Sequence, residues 1–237
     1  MFQLFIVFHK KIFDDCYKNI PNDLLYQYFT FVAVNKTIPK EYTKDKYKII
    51  NEWELSIYDD SFQLLGYNEN SAIYHIYANK LHKKYKHIGF FQYDMIFNDN
   101  IVNFLINRLE KEESIYFSLD TYDFNFCSYR TWNEPRTMEY IIQDYEKYFG
   151  IYFDRTKKYP LCNSFIIEVG IYEKIMGWVI QLYKKLYPWC IQPPNRTHFG
   201  HIGGIYERIM AYAIGCENLK QINLNISHDN NYKKFCY

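Results

Sequence analysis

The chain has 237 residues and a mass of 29.0 kDa, which suits a single domain over residues 1–237 with a substantial core. Its 28 Lys and Arg residues are balanced by 27 Asp and Glu residues, which disfavours nucleic acid or a charged membrane surface as a partner. Six cysteines without a CxxC pair favour free thiols in a reducing compartment, the cytoplasm, over a disulfide framework or a zinc site.

Alternating strands and helices are predicted along the chain, which indicates an α/β fold. The first strand, Phe2 to Phe8, is apolar on both faces, as in a parallel sheet, and is too short for a signal peptide. No stretch approaches the roughly 20 apolar residues of a membrane helix, so no transmembrane segment is expected. Further strands are predicted at 29–34, 49–58, 87–98, 114–119, 163–169 and 221–227. A short helix is predicted to start at 21–23 and to end at 28. Two further helices are predicted at 72–84, with Asn70 and Ser71 as caps, and at 101–112. The last three are predicted at 137–149 with a stop at Gly150, at 171–186 ending at Pro188, and at 205–214.

The stretch from His87 to Asn98, HIGFFQYDMIFN, predicts a buried central strand that carries an aspartate towards its carboxyl end. Because a bare buried carboxylate is costly, Asp94 must be paired, hydrogen-bonded or bound to a cation. Ligands of open α/β sheets bind outside the carboxyl ends of the strands, where Asp94 is expected. We therefore interpret Asp94 as a functional carboxylate; the alternative is a structural carboxylate that caps a neighbouring helix.

Polar residues follow two other predicted elements. His9 and Lys10 come directly after the first strand, again on the side where ligands bind. A predicted loop over 192–204 carries His198, His201 and three glycines, whose spacing fits neither a zinc finger nor a helical metal pair. These histidines are candidate phosphate or metal contacts, and loop histidines bonded to the backbone are the alternative.

Aromatic and helical side chains have simpler interpretations. Tyr93, Tyr129 and Trp132 are candidate platforms for a sugar ring, but aromatic residues are so frequent here that core packing competes with this hypothesis. His75 and His82 fall on the predicted helix 72–84 and are interpreted as solvated.

Four segments, in this order, resemble a group of GT-A-type glycosyltransferases that includes enzymes of bacterial polysaccharide clusters and of large DNA viruses. The resemblance spans roughly Met1 to Gly215. It implies a single-domain, GT-A-like (Rossmann-like) fold with a mixed, mainly parallel sheet flanked by helices. It also implies transfer of a sugar from a nucleotide-diphosphate sugar to an acceptor hydroxyl. The segments are LFIVFHKK, NENSAIYHIYANKLHKKYKHIGFFQYDMIF, NSFIIEVGIYEKIMGWVIQLYKKLY and RTHFGHIGGIYERIMAYAIG.

The same resemblance implies roles for individual residues. Glu207 falls where inverting GT-A enzymes usually place their catalytic carboxylate. Asp94 falls on the second position of the Asp-x-Asp pair that commonly holds a cation against the diphosphate, whereas Gln92 replaces the first carboxylate. The polysaccharide branch often has a basic tetrad there instead. The implied nucleotide-sugar-binding residues are His9, Lys10, Asn70, Gln92, Tyr93, Asp94, Asn163, Gly203 and Arg208.

Mn²⁺ or Mg²⁺ is the expected cofactor. Both cations favour hard oxygen ligands together with the phosphates of the substrate, which suits Asp94. Because one carboxylate is a thin site, Asp99, His198 or His201 would have to help, and His201 is the predicted second ligand.

Two hypotheses of different class follow. The first is an inverting glycosyltransferase that takes a uridine-linked nucleotide sugar and a glycan or protein-linked sugar acceptor, and that works in the cytoplasm, or the host cytoplasm for a viral protein. It requires Asp94 and Glu207 to face each other across one cleft. The alternative is a non-catalytic carbohydrate- or protein-binding module that kept the fold and lost the metal site, for which Gln92 is the best support. A nucleic-acid-binding protein is a weaker third possibility, against which the balanced charge argues.

Overall fold

A computed structural model of the chain describes residues 1–9, 11–34, 46–64, 69–109, 111, 115–118, 121–124, 135–160, 163–190 and 201–229. At 63–64, 115–116, 135–137, 189–190 and 201–202 only the backbone is described. The strands within these residues are β1 (Phe2–Phe8), β2 (Phe29–Ala33), β3 (Ile49–Asn51), β4 (His87–Gln92), β5 (Met95–Ile96), β6 (Ile115–Ser118), β7 (Thr121–Tyr122), β8 (Tyr159–Pro160), β9 (Phe165–Glu168), β10 (Lys220–Asn223) and β11 (Ser227–His228).

The helices flank these strands, and short 3-10 turns link some of them. The helices are α1 (Asn22–Tyr28), α2 (Ser61–Leu64), α3 (Glu69–Ala78), α4 (Asp99–Leu109), α5 (Pro135–Phe149), α6 (Val169–Cys190) and α7 (His201–Cys216). The 3-10 turns cover Asp14–Cys16, Glu52–Glu54 and Leu81–Lys84. None of the helices in the described ranges is both long enough and apolar enough to cross a lipid bilayer.

Seven strands form one sheet in the order β10-β6-β9-β4-β1-β2-β3. The pairs β1 with β2, β1 with β4, β2 with β3, and β6 with β10 are parallel. Strand β9 runs antiparallel to both β4 and β6. The predicted α/β class with a mixed, mainly parallel sheet is confirmed. Two small antiparallel pairs, β5 with β11 and β7 with β8, lie beside the main sheet.

The central strands are apolar because both of their faces are covered. All seven residues of β1 are buried. Phe5 and Val7 belong to the core under α3, α5, α6 and α7, whereas Leu4, Ile6 and Phe8 belong to the core on the α4 side. Burial of each such side chain contributes about 1.5–3 kcal/mol, so this double-sided burial fixes β1 and β4 as the rigid centre of the sheet.

Gly89 shows how tightly the centre is packed. A Cβ atom there would lie 2.7 Å from Cγ1 of Ile166 and 2.8 Å from Cδ2 of Leu4. No larger residue fits at this point of β4 without displacing its neighbours. The strand that leads to Asp94 is therefore held closely on one face.

Several predicted boundaries are corrected by the structure. The strand predicted over 87–98 ends at Gln92, because the chain turns at Tyr93 and Asp94 before β5. Asn70 and Ser71, predicted as caps, lie inside the first turn of α3, which begins at Glu69. The predicted helix 72–84 is interrupted after Ala78, where Lys80 adopts a left-handed φ of 57°. The strand predicted over 49–58 ends at Asn51, where a 3-10 turn begins.

Two corrections concern the second half of the chain. Pro188 does not end the preceding helix: it lies within the last turn of α6, where it removes one backbone N–H donor. Helix α7 begins at His201, so Gly203 and Gly204, expected in a loop, are helical. The stop predicted at Gly150 is confirmed, because this residue takes a φ of 68° and donates its N–H to the carbonyl of Glu146 at 2.9 Å.

Candidate functional site

The parallel strands bring several predicted residues to one edge of the sheet. His9 follows β1 and Tyr93 follows β4, and these strands are neighbours. The two rings meet edge to face, with centroids 5.5 Å apart. Phe13 contacts the Tyr93 ring at 5.5 Å, and the Tyr17 hydroxyl donates to the Tyr93 carbonyl at 3.1 Å. The turn that follows β4 is therefore fixed from the β1 side.

Asp94 lies in this turn and is 3% exposed. Its Oδ2 lies 3.2 Å from Nδ1 of His228, and its backbone carbonyl accepts the N–H of Asp229 at 2.9 Å. Its Oδ1 is buried and has no hydrogen-bond partner among the described residues. A buried carboxylate oxygen without a donor is costly, so this oxygen is suited to a bound cation or to a donor on a ligand.

His228 reaches Asp94 through the pairing of β11 with β5. In the antiparallel register His228 lies opposite Met95, the residue after Asp94. The sequence analysis missed this residue, because it is 134 positions away from Asp94 and no local pattern predicts the pairing. The available signal was weak: Ser227-His228-Asp229 places a histidine and a carboxylate at the end of a predicted strand.

The surroundings of Asp94 are electronegative. Burial, together with the negative charges of Asp229, Asp94 and Asp15, raises the pKa of the Cys16 thiol to about 12. Burial also raises the pKa of Tyr17 well above its usual value, with Asp94 among the contributing charges. Negative charge of this kind favours a cation over an anion at the turn.

The residues present fit a divalent cation in type, but only two of them are candidate ligands. Asp94 supplies an oxygen and His228 a nitrogen, both acceptable to Mn²⁺. Across the described ranges no group of three or more His, Cys, Asp or Glu side chains is arranged to hold a metal ion. Two protein ligands leave the remaining positions to the substrate phosphates and water, as is usual for Mg²⁺ in phosphate-binding sites.

A second cluster links Asn70, Asn163 and Gly203, three of the predicted residues. The side-chain amide of Asn70 donates to the carbonyl of Gly203 at 3.2 Å, and its oxygen accepts from the amide of Asn163 at 3.4 Å. Asn163 is 4% exposed and adopts a left-handed φ of 45°, which asparagine tolerates better than most residues. Its Oδ1 has no hydrogen-bond partner within the described part of the chain. The cluster thus offers a buried acceptor suited to a hydroxyl group.

The two clusters are linked at the start of α3. Nε2 of His9 lies 3.7 Å from Oε1 of Glu69, the residue before Asn70. His9 therefore lies between Tyr93, at the end of β4, and the amino terminus of α3. Through His9, the end of β1 contacts both the turn after β4 and the start of α3.

The remaining predicted residues are placed less decisively. Gln92 is the last residue of β4, lies opposite Val7 and is half-buried. On α7, Glu207 is half-buried and lies one turn beyond Gly203. Arg208 is 6% exposed and donates from Nη1 to the carbonyl of Gly204 at 2.7 Å. The pairing of Glu207 with Asp94 across one cleft stays a prediction.

Some predictions fall outside the described residues. The side chain of His201, the predicted second metal ligand, is not described, although its backbone opens α7. Asp99 begins α4, and its Oδ1 accepts the N–H of Asn100 at 2.9 Å. The other predictions that lie outside the described ranges are those for Lys10, Tyr129, Trp132 and His198.

The prediction that His75 and His82 are solvated is wrong. His75 is 0% exposed, and its Nδ1 lies 2.6 Å from Oε1 of Glu52. His82 is 1% exposed, and its Nε2 lies 2.9 Å from Oε1 of Glu173. Both histidines gain a carboxylate from another segment, which is the usual condition for burying them.

The mixed, mainly parallel sheet flanked by helices defines the class of fold, which is GT-A-like. No family model matches the chain, and no curated protein matches it at a significant level. Solved structures do match. The bifunctional glycosyltransferase WbbM, in its apo form, superposes with a TM-score of 0.64 at 15% sequence identity. At this identity the likeness shows the fold, which is that of GT-A-type glycosyltransferases.

The match to WbbM covers 97% of this chain and 45% of that chain, so this chain spans just under half the length of WbbM. Weaker likenesses connect it to two other glycosyltransferases. The mannosyltransferase Ktr4p from S. cerevisiae matches with a TM-score of 0.43 at 15% identity, over 96% of this chain and 70% of that chain. Mouse xyloside xylosyltransferase 1 matches with a TM-score of 0.44 at 11% identity, over 94% of this chain and 84% of that chain.

Proposed function

We propose that this protein is a glycosyltransferase that moves a sugar from a nucleoside-diphosphate sugar to an acceptor hydroxyl. The observation that carries the proposal is the Asp94 carboxylate, buried at the carboxyl end of the central strand with one oxygen beside His228 and the other without a partner. The position is the one at which open α/β sheets bind ligands. The fold shared with a known glycosyltransferase supports the same reaction class.

Charge neutralisation of the leaving diphosphate is the first chemical requirement. In our proposal Asp94 and His228 hold Mn²⁺ or Mg²⁺, which supplies the positive charge that the diphosphate needs as it leaves. The carboxylates of Asp229 and Asp15, which act on the nearby Cys16 thiol together with Asp94, add negative charge that favours binding of such a cation. The role predicted for His201 as a ligand is retained as a second proposal, since its side chain is not described.

Recognition of the sugar is the second requirement. The unpartnered Oδ1 of Asn163 accepts a sugar hydroxyl in our proposal, and the amide of Asn70 holds Asn163 in place. Half-buried Tyr93, packed against His9 and Phe13, offers an aromatic ring for the nucleotide or the sugar. A uridine-linked donor is the first candidate.

Activation of the acceptor is the third requirement, and we assign it to Glu207. Its partial exposure leaves it accessible to an acceptor. The acceptor oxygen forms a bond to the anomeric carbon as the bond to the diphosphate oxygen breaks. The hydroxyl proton passes to the Glu207 carboxylate, and the electron pair of the broken bond remains on the diphosphate. Direct attack of this kind inverts the anomeric centre. The acceptor is a glycan or a protein-linked sugar, and we place the reaction in the cytoplasm, where unpaired thiols such as Cys16 and Cys216 persist.

The alternative is a binding module that keeps the fold without catalysis. Two observations favour it: Gln92 replaces a carboxylate beside Asp94, and the described residues hold no cluster of three metal ligands. Such a module would bind a carbohydrate without needing nucleotide or cation.

A thermal-shift screen of nucleotide sugars with and without Mn²⁺ separates the two functions. A donor that binds only the folded protein raises the melting temperature, and the enzyme hypothesis expects this rise to increase with Mn²⁺. Donor hydrolysis and transfer are then measured on Asp94→Ala and Glu207→Ala. Full activity in both folded variants would remove the site assignment, and sugar binding that is indifferent to nucleotide and Mn²⁺ would establish the module. The anomeric configuration of the product, read by NMR, tests inversion.

A further inference from the structure

Three consecutive residues in the first turn of α3 each tie this helix to a different part of the molecule. One faces the end of β1, the next reaches α7, and the third bonds to the segment after β3. The start of α3 is therefore the point at which the site and the sheet edge are joined. The contacts are Glu69 Oε1 to His9 Nε2 at 3.7 Å, Asn70 Nδ2 to Gly203 O at 3.2 Å, and Ser71 Oγ to Glu52 Oε1 at 2.5 Å.

The third of these ties is part of a sealed polar network. Glu52, Ser71 and His75 are each 0% exposed. Oε1 of Glu52 accepts from the Ser71 hydroxyl at 2.5 Å and lies 2.6 Å from Nδ1 of His75. The backbone N–H of Asp59 donates to Nε2 of His75 at 2.9 Å. Since Nε2 accepts, the proton of the neutral ring is on Nδ1, and His75 donates to Glu52.

This arrangement excludes a nucleophilic role for Ser71. A Ser-His-acid triad needs the serine hydroxyl to donate to the histidine and the acid to bind the opposite ring nitrogen. Here Ser71 donates to the carboxylate itself, and a backbone N–H occupies Nε2 of His75. With every member sealed from solvent, no substrate reaches the hydroxyl. The network therefore has a structural role, which is to hold the segments that its members belong to.

The network restrains the amino terminus of α3 against rotation about the helix axis and translation along it. Ser71 and His75 are one turn apart on the helix, so their two bonds to a single carboxylate oxygen restrain both rotation and sliding. Glu52 is anchored in turn, because it directly follows β3 of the main sheet. Asn70 precedes Ser71, so the direction of its amide towards Asn163 depends on this anchor.

We propose that Glu52, Ser71 and His75 are positioning residues that set the Asn70 amide, and through it the Asn163 acceptor, for the sugar of the donor. The inference rests on the proposed function, because the sugar-binding role of Asn163 belongs to it. The network acts on recognition of the sugar moiety and leaves the binding of the nucleoside diphosphate unchanged.

The test compares Glu52→Gln with a matched control beyond the far end of α3: Glu173, on α6, bonds to His82 in the 3-10 turn that follows α3. Glu173→Gln removes a carboxylate that lies 2.9 Å from the buried ring of His82, after α3 has ended. We expect Glu52→Gln to lower kcat/KM for the nucleotide sugar about tenfold, because small displacements of positioning groups are costly to catalysis. Its Kd for UDP alone should stay at the wild-type value. Glu173→Gln should keep both values, and Ser71→Ala should show a smaller loss in the direction of Glu52→Gln.

A second readout is independent of the substrate. In ¹⁵N-labelled protein, the side-chain amide resonances of Asn70 and Asn163 should move in Glu52→Gln and stay in place in Glu173→Gln. Wild-type kcat/KM and unmoved amide resonances in a folded Glu52→Gln variant would overturn the inference, even where its melting temperature falls. If the wild-type protein neither binds nor transfers any nucleotide sugar, the proposed function fails, and unmoved resonances in Glu52→Gln would then reject the positioning role separately.

Discussion

Two buried carboxylates, Glu52 and Asp94, each follow a parallel strand of the same sheet, yet their surroundings differ. Glu52 is 0% exposed, and one of its oxygens receives donors from Ser71 and His75. Asp94 is 3% exposed and has His228 beside one oxygen, while the other has no partner in the described part of the molecule. Burial and position do not separate a structural carboxylate from a binding one. What separates them is whether a buried oxygen still lacks a hydrogen-bond donor. This difference predicts opposite effects on stability and activity when each carboxylate is removed.

The largest effect is expected for Asp94→Ala. If this carboxylate holds the cation that neutralises the diphosphate, its loss should lower transfer and donor hydrolysis by a factor on the order of a thousand. Initial rates at saturating nucleotide sugar and Mn²⁺ measure this loss.

The same substitution should cost little stability. Because Oδ1 of Asp94 is buried without a donor, Asp94→Asn or Asp94→Ala relieves an unfavourable group, and the melting temperature should hold or rise. A strongly lowered melting temperature with unchanged activity would turn the comparison around and make Asp94 the structural carboxylate.

Glu52→Ala should behave in the opposite way. It leaves the Ser71 hydroxyl and the His75 ring N–H buried without an acceptor, which should lower the free energy of unfolding by about 2–4 kcal/mol. Urea unfolding followed by circular dichroism measures the change. Equal stability of Glu52→Ala and wild type would mean that water or another group replaces the carboxylate, and the contrast with Asp94 would be lost.

A smaller effect is expected for His228→Ala, which sharpens the Asp94 side of the comparison. Loss of a nitrogen 3.2 Å from Oδ2 of Asp94 should weaken the Mn²⁺ response of the protein about tenfold. Calorimetric titration of Mn²⁺ in the presence of UDP reports this affinity directly. A wild-type response in this variant would remove His228 from the proposed metal site.

The smallest effect concerns Glu173, a third carboxylate that is partly exposed. The hydrogen bond with His82 holds its pKa below the ordinary value of 4.5, against the opposing effect of burial. A lowered folded-state pKa stabilises the protein above the unfolded-state value, and this contribution is lost as pH falls through the lowered pKa. The melting-temperature difference between wild type and Glu173→Gln should therefore be present at neutral pH, shrink as pH falls below 4.5, and vanish once pH is below the lowered pKa. A melting-temperature difference that persists in acid would mean that it comes from altered packing of the side chain and not from its charge.

The sequence predicted the sheet better than the site. Strands such as β1 and β4 were predicted because they are buried on both faces and therefore uniformly apolar. Asp94 was predicted because a carboxylate is anomalous within such a run. The implied roles of His9, Asn70 and Asn163 came from the resemblance. In the structure His9 lies 3.7 Å from Glu69, the neighbour of Asn70, and Asn70 accepts from Asn163.

What the sequence did not predict depends on contacts between distant segments. His228 becomes a neighbour of Asp94 through a pairing that joins two-residue strands, too short to leave a pattern. His75 and His82 were judged from the apolar face of one helix, but their environment is set by Glu52 and Glu173, which come from other elements. Local periodicity describes a helix and its own faces, and it cannot report which segment covers the remaining face.

The late position of β11 along the chain has a consequence for how the molecule matures. Because the histidine beside the turn after the central strand comes from residue 228, every strand of the main sheet precedes it in the sequence. A refolding polypeptide should thus pass through a compact stage in which Asp94 still lacks this neighbour, until the short β5–β11 pair forms. Pulse-labelled refolding, with cation binding as the probe, should show that step as the slowest to appear.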